Sequence, residues 1–410
     1  MTEVRDLLFV STRFLFPVDS GGKIRTTQVL RGLKGGKFRV VLVSPATAEQ
    51  CNQFRAEIEQ VCDEFHSWPE PTRGALFHYS RMRFLASSLP IPVRTDRHPA
   101  GVSKVAELLA NDPLVAVFDF AHAGVLAPTH IRCPSVMFTH NVEAEIFKRH
   151  VEVSGNPLLR MIWRNQYRKM LAFEKRSLQK FDVVVAVAER DSVLFLNDYS
   201  INQLHVIPTG VDLDFFEYRA PTRNRDVVFC GSMDWMANQE GVRYFMDEIW
   251  TEVAKVVPDA KMTVVGRAAP DGLVQEAKRR KLRWEFTGFV EDVRPYVQGS
   301  GVSVIPLRVG GGTRLKAFEA MAMGSPIVST SIGMEGLPVV PGKHFVLADE
   351  SPNFASAIVE LLMDDQRRVA IARESRTFVE QNFSYEVAAR SFEDACEKAI
   401  SFFAKRSVPR

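Results

Sequence analysis

The chain has 410 residues, 46% of them hydrophobic and 25% charged, with a net charge of +3. That length and apolar content can fill the cores of two ordinary domains, and so balanced a charge argues against nucleic acid as a partner. No apolar run approaches the ~18 residues a membrane span needs, Glu3, Arg5 and Asp6 ahead of LLFV do not make a secretory signal, and Cys51, Cys62, Cys133, Cys230 and Cys396 form no C-x-x-C pair, so a cytoplasmic protein with reduced thiols and no zinc site is expected.

Leu7 to Ser11 (LLFVS) reads as a buried strand. A loop, FPVDSGGK, follows, then a helix from about Ile24 to Leu33 and a strand from Arg39 to Ser44 (RVVLVS). This is the opening βαβ unit of a doubly wound domain, and Gly21 and Gly22 fall at its strand-to-helix crevice. No nucleotide fingerprint fits: Pro17 and Ile24 stand where a P-loop needs glycine and Ser or Thr, and G-x-G-x-x-G is missing. The glycines are thus compatible with a surface turn as well as with a ligand loop.

From about Cys51 to Asp112 the pattern is less regular. Phe77, Tyr79, Met82, Phe84 and Leu85 beside Arg81 and Arg83 suit either a membrane-facing patch or a helix packed on its own domain. Val115 to Phe120 (VAVFDF) and Ser135 to Thr139 (SVMFT) read as further buried strands. His140 follows the second directly, at the carboxyl edge where open α/β sheets bind ligands, with Asp119 and His122 as weaker candidates beyond the first.

Residues 157–180 carry a long helical pattern, with an apolar stripe (Leu158, Met161, Ile162, Met170, Leu171, Leu178) and many cations opposed by Glu174 alone. Two readings stand for it: a solvated basic face on a core-packed helix, or attraction to an anionic lipid leaflet or diphosphate-lipid acceptor. Asp182 to Ala188 (DVVVAVA) returns to a strand. The run VIPTGVDLDFFEYRAPTRNRD marks a boundary, after which strands recur at Val227 to Cys230, Lys261 to Val265 and Trp284 to Thr287, with helical stretches between.

The densest signal is Gly301 to Thr330: a strand (Val302 to Leu307), three glycines (Gly310, Gly311, Gly312), a helix from about Thr313 to Met323 and a second strand from Pro326. Glycines let a ligand approach the backbone, and a helix N-terminus attracts anions. Arg314 and Lys316, expected in the first helical turn against the dipole, suit a phosphate ligand, and Glu319 lies at i+3 from Lys316, placed to meet ribose hydroxyls. A tight turn followed by a solvated ion pair fits the same letters.

The segment GGGTRLKAFEAMAMGSPIVSTSIGMEGL resembles the donor-binding segment of glycosyltransferase family 4, also called group 1: retaining enzymes of the GT-B fold. The resemblance implies an α/β chain of two doubly wound, Rossmann-like domains facing a central cleft. The N-terminal acceptor domain would be 1–208, a hinge 209–225, the donor domain 226–384, and 385–410 a closing helix that returns to the first domain. It further implies metal-independent transfer from a nucleotide sugar (a UDP- or GDP-sugar) to an acceptor hydroxyl without cofactor, a role in polysaccharide biosynthesis, and optional peripheral contact with the inner face of a membrane.

By the same resemblance His140, Arg314 and Lys316 are catalytic. Gly22, Gly231, Gly288, Phe289, Val290, Gly311, Gly312, Thr313, Leu315 and Glu319 bind the donor, with Phe289 and Val290 at the base and Glu319 at the ribose. Two departures stand out. Gly311 falls where many members carry a first glutamate that touches the sugar, and the loop GSMDWMANQEG lacks the arginine and lysine that grip the diphosphate, so Arg314 and Lys316 are expected to replace them. A GT-B nucleotide-sugar epimerase and a non-catalytic sugar-nucleotide-binding subunit are the alternatives.

Overall fold

The computed structural model describes residues 5–69, 81, 83–207, 210–309 and 314–407. The expectations for Gly310 to Thr313, and for Phe77, Tyr79 and Met82, lie outside the described residues. The chain divides into two compact units, Met1–Gly210 with Tyr385–Arg410, and Val211–Ser384.

The first unit is built on a seven-stranded sheet among the described residues. Its strands are β1 (Arg5–Ser11), β2 (Phe38–Pro45), β3 (Glu64–Trp68), β4 (Val115–Asp119), β5 (Ser135–Phe138), β6 (Val183–Ala186) and β7 (Leu204–Val206). Their order is β3-β2-β1-β4-β5-β6-β7, and every pairing is parallel. Parallel strands need crossover helices, which cover both faces of the sheet, and for that reason runs such as VVVA at Val183–Ala186 are apolar throughout. β3 was not legible as a strand: EFHSW is only partly buried and lies at the sheet edge.

The helix Tyr385–Ser407 belongs to this unit. Phe392, Ala395, Cys396 and Ala399 share a core with Leu7, Phe9, Val136 and Phe138, and the Phe392 ring lies 5.0 Å from that of Phe138.

The second unit repeats the plan with β8 (Val227–Cys230), β9 (Met262–Val265), β10 (Trp284–Gly288), β11 (Val302–Ile305), β12 (Ile327–Ser329) and β13 (Val346–Leu347), in the parallel order β10-β9-β8-β11-β12-β13. The stretch expected as a hinge is, from Val211 onward, part of this unit. Its carbonyls are held by side chains of the unit: Arg294 donates to Phe215 O, Gln298 to Glu217 O and Arg376 to Phe216 O.

Two helix starts differ from expectation. Gly21 and Gly22 form the first turn of the helix Gly21–Leu33 behind Ser20, where a loop was expected. The second helix begins only at Leu315, because Arg314 adopts a left-handed backbone (φ 41°) at the N-cap position and cannot lie in the first turn.

Candidate functional site

In both units the strand order reverses beside the first strand of the sheet, between β1 and β4 and between β8 and β11. Outside the carboxyl ends of the strands at such a switch point the flanking loops diverge and leave a crevice, the usual ligand position in open α/β sheets. The candidate residues gather at these two places.

In the second unit, β8 ends at Cys230 and Gly231 opens the loop after it, and the helix Leu315–Ala322 follows β11. Lys316 reaches back to this loop: Nζ donates to Asn238 Oδ1 at 2.8 Å and sits 4.5 Å from the centre of the Phe229 ring. Asn238 is fixed in turn by donating from Nδ2 to Ser232 O at 2.7 Å. Gly231 makes room, since a Cβ there would stand 2.8 Å from both Lys316 Nζ and Asn238 Nδ2. Burial pushes the Lys316 ammonium down to about 8, and burial pushes the Glu319 carboxyl up to about 7 against the opposing charge of Lys316. Glu319, half-buried, sits one turn further along the helix, and no described residue donates a hydrogen bond to its carboxylate.

Arg314 makes contacts of its own within the second unit. Its guanidinium is buried, donates from Nη2 to Ile332 O at 2.8 Å and lies 3.8 Å from the Glu335 carboxylate. It ties the start of the helix Leu315–Ala322 to the segment after β12. Burial lowers its pKa, and Glu335 opposes that shift.

A cation that sequence reasoning passed over is Arg267, immediately after Gly266 at the end of β9. Its Nε donates to Ser232 Oγ at 3.1 Å and to Asp234 Oδ2 at 3.2 Å, and its carbonyl accepts from Met233 N at 2.9 Å. The loop GSMD, which has no cation of its own, therefore receives one from the neighbouring strand. The signal was available in the letters VVGR, a strand running straight into glycine and arginine.

At the end of β10, Gly288 takes φ 70° and the next two residues part company: Phe289 is 74% exposed at the carboxyl edge, while Val290 packs into the core around Phe318. Leu315 lies half-buried at the start of its helix. Of the expected site residues in this unit, the structure brings Gly231, Lys316 and Glu319 together, and sets Gly288 and Phe289 at the carboxyl end of the edge strand β10.

In the first unit His140 does follow β5 at the carboxyl edge, but its ring is enclosed. The Arg25 guanidinium lies 3.1 Å from Nδ1 and Asp119 Oδ1 lies 2.8 Å from Nε2. A guanidinium only donates, so Nδ1 accepts and the proton sits on Nε2. Burial lowers the His140 pKa, with Asp119 opposing, which agrees with a neutral ring. Asp119, fully buried, also accepts from Ser11 Oγ at 3.2 Å and Thr26 Oγ1 at 3.1 Å. Phe120, at φ 67°, stacks on the imidazole with ring centres 4.0 Å apart. Gly22 lies under Phe120, where an added Cβ would stand 2.4 Å from Cζ. Both nitrogens of the His140 ring are thus engaged, and the ring organises this edge from within.

His122 stands apart, with Nδ1 2.9 Å from Asp96 Oδ2 and Nε2 3.7 Å from Glu143 Oε2. Burial pulls its pKa down, but the hydrogen bond to Asp96 and the two carboxylate charges outweigh that and raise it.

Residues 224–364 match the family model described as "Glycosyl transferases group 1". Over 399 residues, 92% of this chain and 96% of the relative, the sequence is 21% identical to an "uncharacterized 44.6 kDa protein in cps region" of Klebsiella pneumoniae. Over 302 residues, 69% of this chain and 71% of the relative, it is 24% identical to the MMP alpha-(1->4)-mannosyltransferase of Mycolicibacterium hassiacum. Among solved structures, Anabaena HepE in complex with UDP superposes with a TM-score of 0.65 at 16% identity, covering 96% of this chain and 99% of that one. HepE is also known in complex with UDP-glucose, at a TM-score of 0.61. The second unit thus carries a group 1 glycosyltransferase domain, and the two parallel sheets of this chain are those of GT-B glycosyltransferase structures.

Proposed function

We propose that this chain is a retaining glycosyltransferase of family 4 that moves a hexosyl group from a nucleoside diphosphate sugar to an acceptor hydroxyl, without a metal ion. The observation that carries this reading is the seating of the Lys316 ammonium against the loop after β8 at the switch point, with the half-buried carboxylate of Glu319 one turn away. A pyrophosphate resting between that loop and the helix start meets a fixed cation and backbone N–H groups, and the ribose hydroxyls donate to Glu319. The UDP and UDP-glucose complexes of HepE and the mannosyltransferase activity of the mycobacterial relative support a sugar-nucleotide donor.

Transfer breaks the bond between the anomeric carbon and the β-phosphate oxygen, and both electrons leave with the phosphate. Lys316 stabilises that growing charge more than it does the ground state, and this difference is what accelerates the step. The acceptor oxygen bonds to the same face of the anomeric carbon and its proton passes to the departing phosphate oxygen, so configuration is retained. Arg267 holds the GSMD loop beneath the pyrophosphate, in the place of the cations that loop lacks.

Titration calorimetry with UDP, UDP-hexoses, GDP and GDP-mannose tests the reading. One nucleotide series binds, and Lys316→Met weakens it at least tenfold. No binding by either series, or equal binding by the variant, overturns the proposal. A non-catalytic sugar-nucleotide-binding subunit is favoured by Gly311 at the position of the first family glutamate; it would bind donor yet release no nucleotide with any acceptor.

A further inference from the structure

Three elements meet at the carboxyl edge of the first sheet, and each contributes a titratable side chain that the transfer reading leaves unused. His122 lies in the short turn Ala121–Val125 after β4, Glu143 opens the helix Glu143–Val153 after β5, and Asp96 closes the helix Ile91–Asp96. Nδ1 of His122 stands 2.9 Å from Asp96 Oδ2, and Nε2 stands 3.7 Å from Glu143 Oε2. The first distance is a hydrogen bond and fixes a proton on Nδ1, whereas the second is too long for one. His122 is only 5% exposed, and its Nε2 finds no hydrogen-bond partner among the described residues. Leaving a buried polar atom unpaired destabilises the folded chain, so the gap between imidazole and carboxylate calls for a further partner.

The gap is held from both sides. Glu143 and Ala144 donate their backbone N–H groups to the buried Glu174 carboxylate at 2.8 and 3.1 Å, which pins the start of the helix, and Asp96 fixes the ring. It is also within reach of solvent, because the side chains of Asp96 and Glu143 are 20% and 14% exposed.

The chemistry of the gap selects the partner. Burial works against the charged imidazole, but the hydrogen bond to Asp96 and the two carboxylate charges outweigh it and favour a proton on Nε2 as well. Nε2 then donates and Glu143 accepts. A hydroxyl does the opposite of each at a single atom: it accepts from the imidazole and donates to the carboxylate. The surrounding charges balance, since the two carboxylates face the imidazolium and the guanidinium of Arg13, two residues past β1. A cluster without net charge offers little to an ion and suits a neutral ligand rich in hydrogen-bonding groups. Thr12, beside Arg13, adds a buried hydroxyl that is likewise unpaired among the described residues.

We propose that His122 and Glu143, with Asp96 positioning the imidazole, form a subsite that binds the hydroxyls of a saccharide. If the chain transfers a sugar as set out above, that saccharide is the acceptor; this consequence rests on the transfer reading, and the subsite itself does not.

The test is saturation-transfer NMR of the full chain, without donor, against the methyl pyranosides of glucose, galactose and mannose and against 1-octanol. At least one pyranoside is expected to bind, and octanol is not. Glu143→Gln removes the accepting charge, and His122→Asn keeps a donor for Asp96 while deleting Nε2; each is expected to weaken that pyranoside by roughly tenfold or more. Both should keep the melting temperature and the nucleotide titration of the parent chain, and Glu152→Gln, exposed on the same helix, should leave pyranoside binding intact. If His122→Asn melts early, Glu143→Gln, which conserves shape, decides alone. No binding by any of the pyranosides, octanol binding as well as they do, or binding that the folded variants leave unchanged overturns the proposal. With donor present, the bound pyranoside should act as acceptor, and the variants should raise its KM rather than lower kcat. A pyranoside that binds through these residues but never receives sugar would instead strike the transfer reading and leave this subsite standing.

Discussion

The Lys316 ammonium and the Asn238 side-chain carbonyl, 78 residues apart, meet at 2.8 Å. The pair places a cation from the helix after β11 against the loop after β8, over the glycine that leaves space for it. A neutral amide holds the lysine without neutralising it, so its charge remains available to an incoming phosphate.

This relationship gives a pH dependence. Burial leaves Lys316 at about 8 and Glu319 at about 7 in the free protein. The lysine attracts phosphate only when protonated and is lost as pH rises through about 8; the glutamate accepts from ribose only when ionised and is lost as pH falls through about 7. Donor kcat/KM should therefore peak between these values. Asn238→Asp sets a carboxylate beside the ammonium and raises its pKa, so the alkaline limb should move upward. An unmoved limb would contradict the assigned contact.

Glu319→Ala should weaken UDP binding by about 1–3 kcal/mol, the range for leaving buried polar groups unpaired. The sharper measurement compares UDP with 2′,3′-dideoxy-UDP in calorimetry. The parent chain should prefer UDP by at least tenfold, and the variant should not discriminate. Undiminished preference would remove Glu319 from the ribose.

Asp119 accepts hydrogen bonds from Ser11, Thr26 and His140 with no exposure to solvent. Asp119→Ala strands these donors together with the buried Arg25, whose pKa burial has already lowered to about 10. A loss of about 3–5 kcal/mol is expected in denaturant titration of the first unit, as when one partner of a buried charged pair is removed. A loss under 1 kcal/mol would show that the network is not closed as described.

Gly22→Ala should cost about 1–3 kcal/mol through overpacking, because the new methyl meets the Phe120 ring at 2.4 Å. Phe120 stacks on His140, so the change should also perturb the imidazole resonances of His140 in NMR spectra. Gly21→Ala, one residue away and with nothing within 4 Å of the added methyl, is the control and should leave both stability and spectrum unchanged.

Much of this protein was legible in one dimension. A buried parallel strand must be apolar on both faces, so LLFV, VVLV, VVVA and VVFC announced themselves as uninterrupted runs, and their alternation with helical patterns implied two doubly wound sheets. That Lys316 and Glu319 lie one turn apart on one helix was legible because it depends on local spacing alone. What the letters left open were contacts between residues distant in the chain: that Arg314 turns away to the Ile332 carbonyl, that Arg267 serves the GSMD loop, that Asn238 seats Lys316, and that the imidazole of His140 is sealed between Arg25 and Asp119. Those depend on which strands lie side by side and which loops converge at the switch points. Local propensity sets neither, because the order of strands in a sheet is fixed by the packing of all the crossovers together.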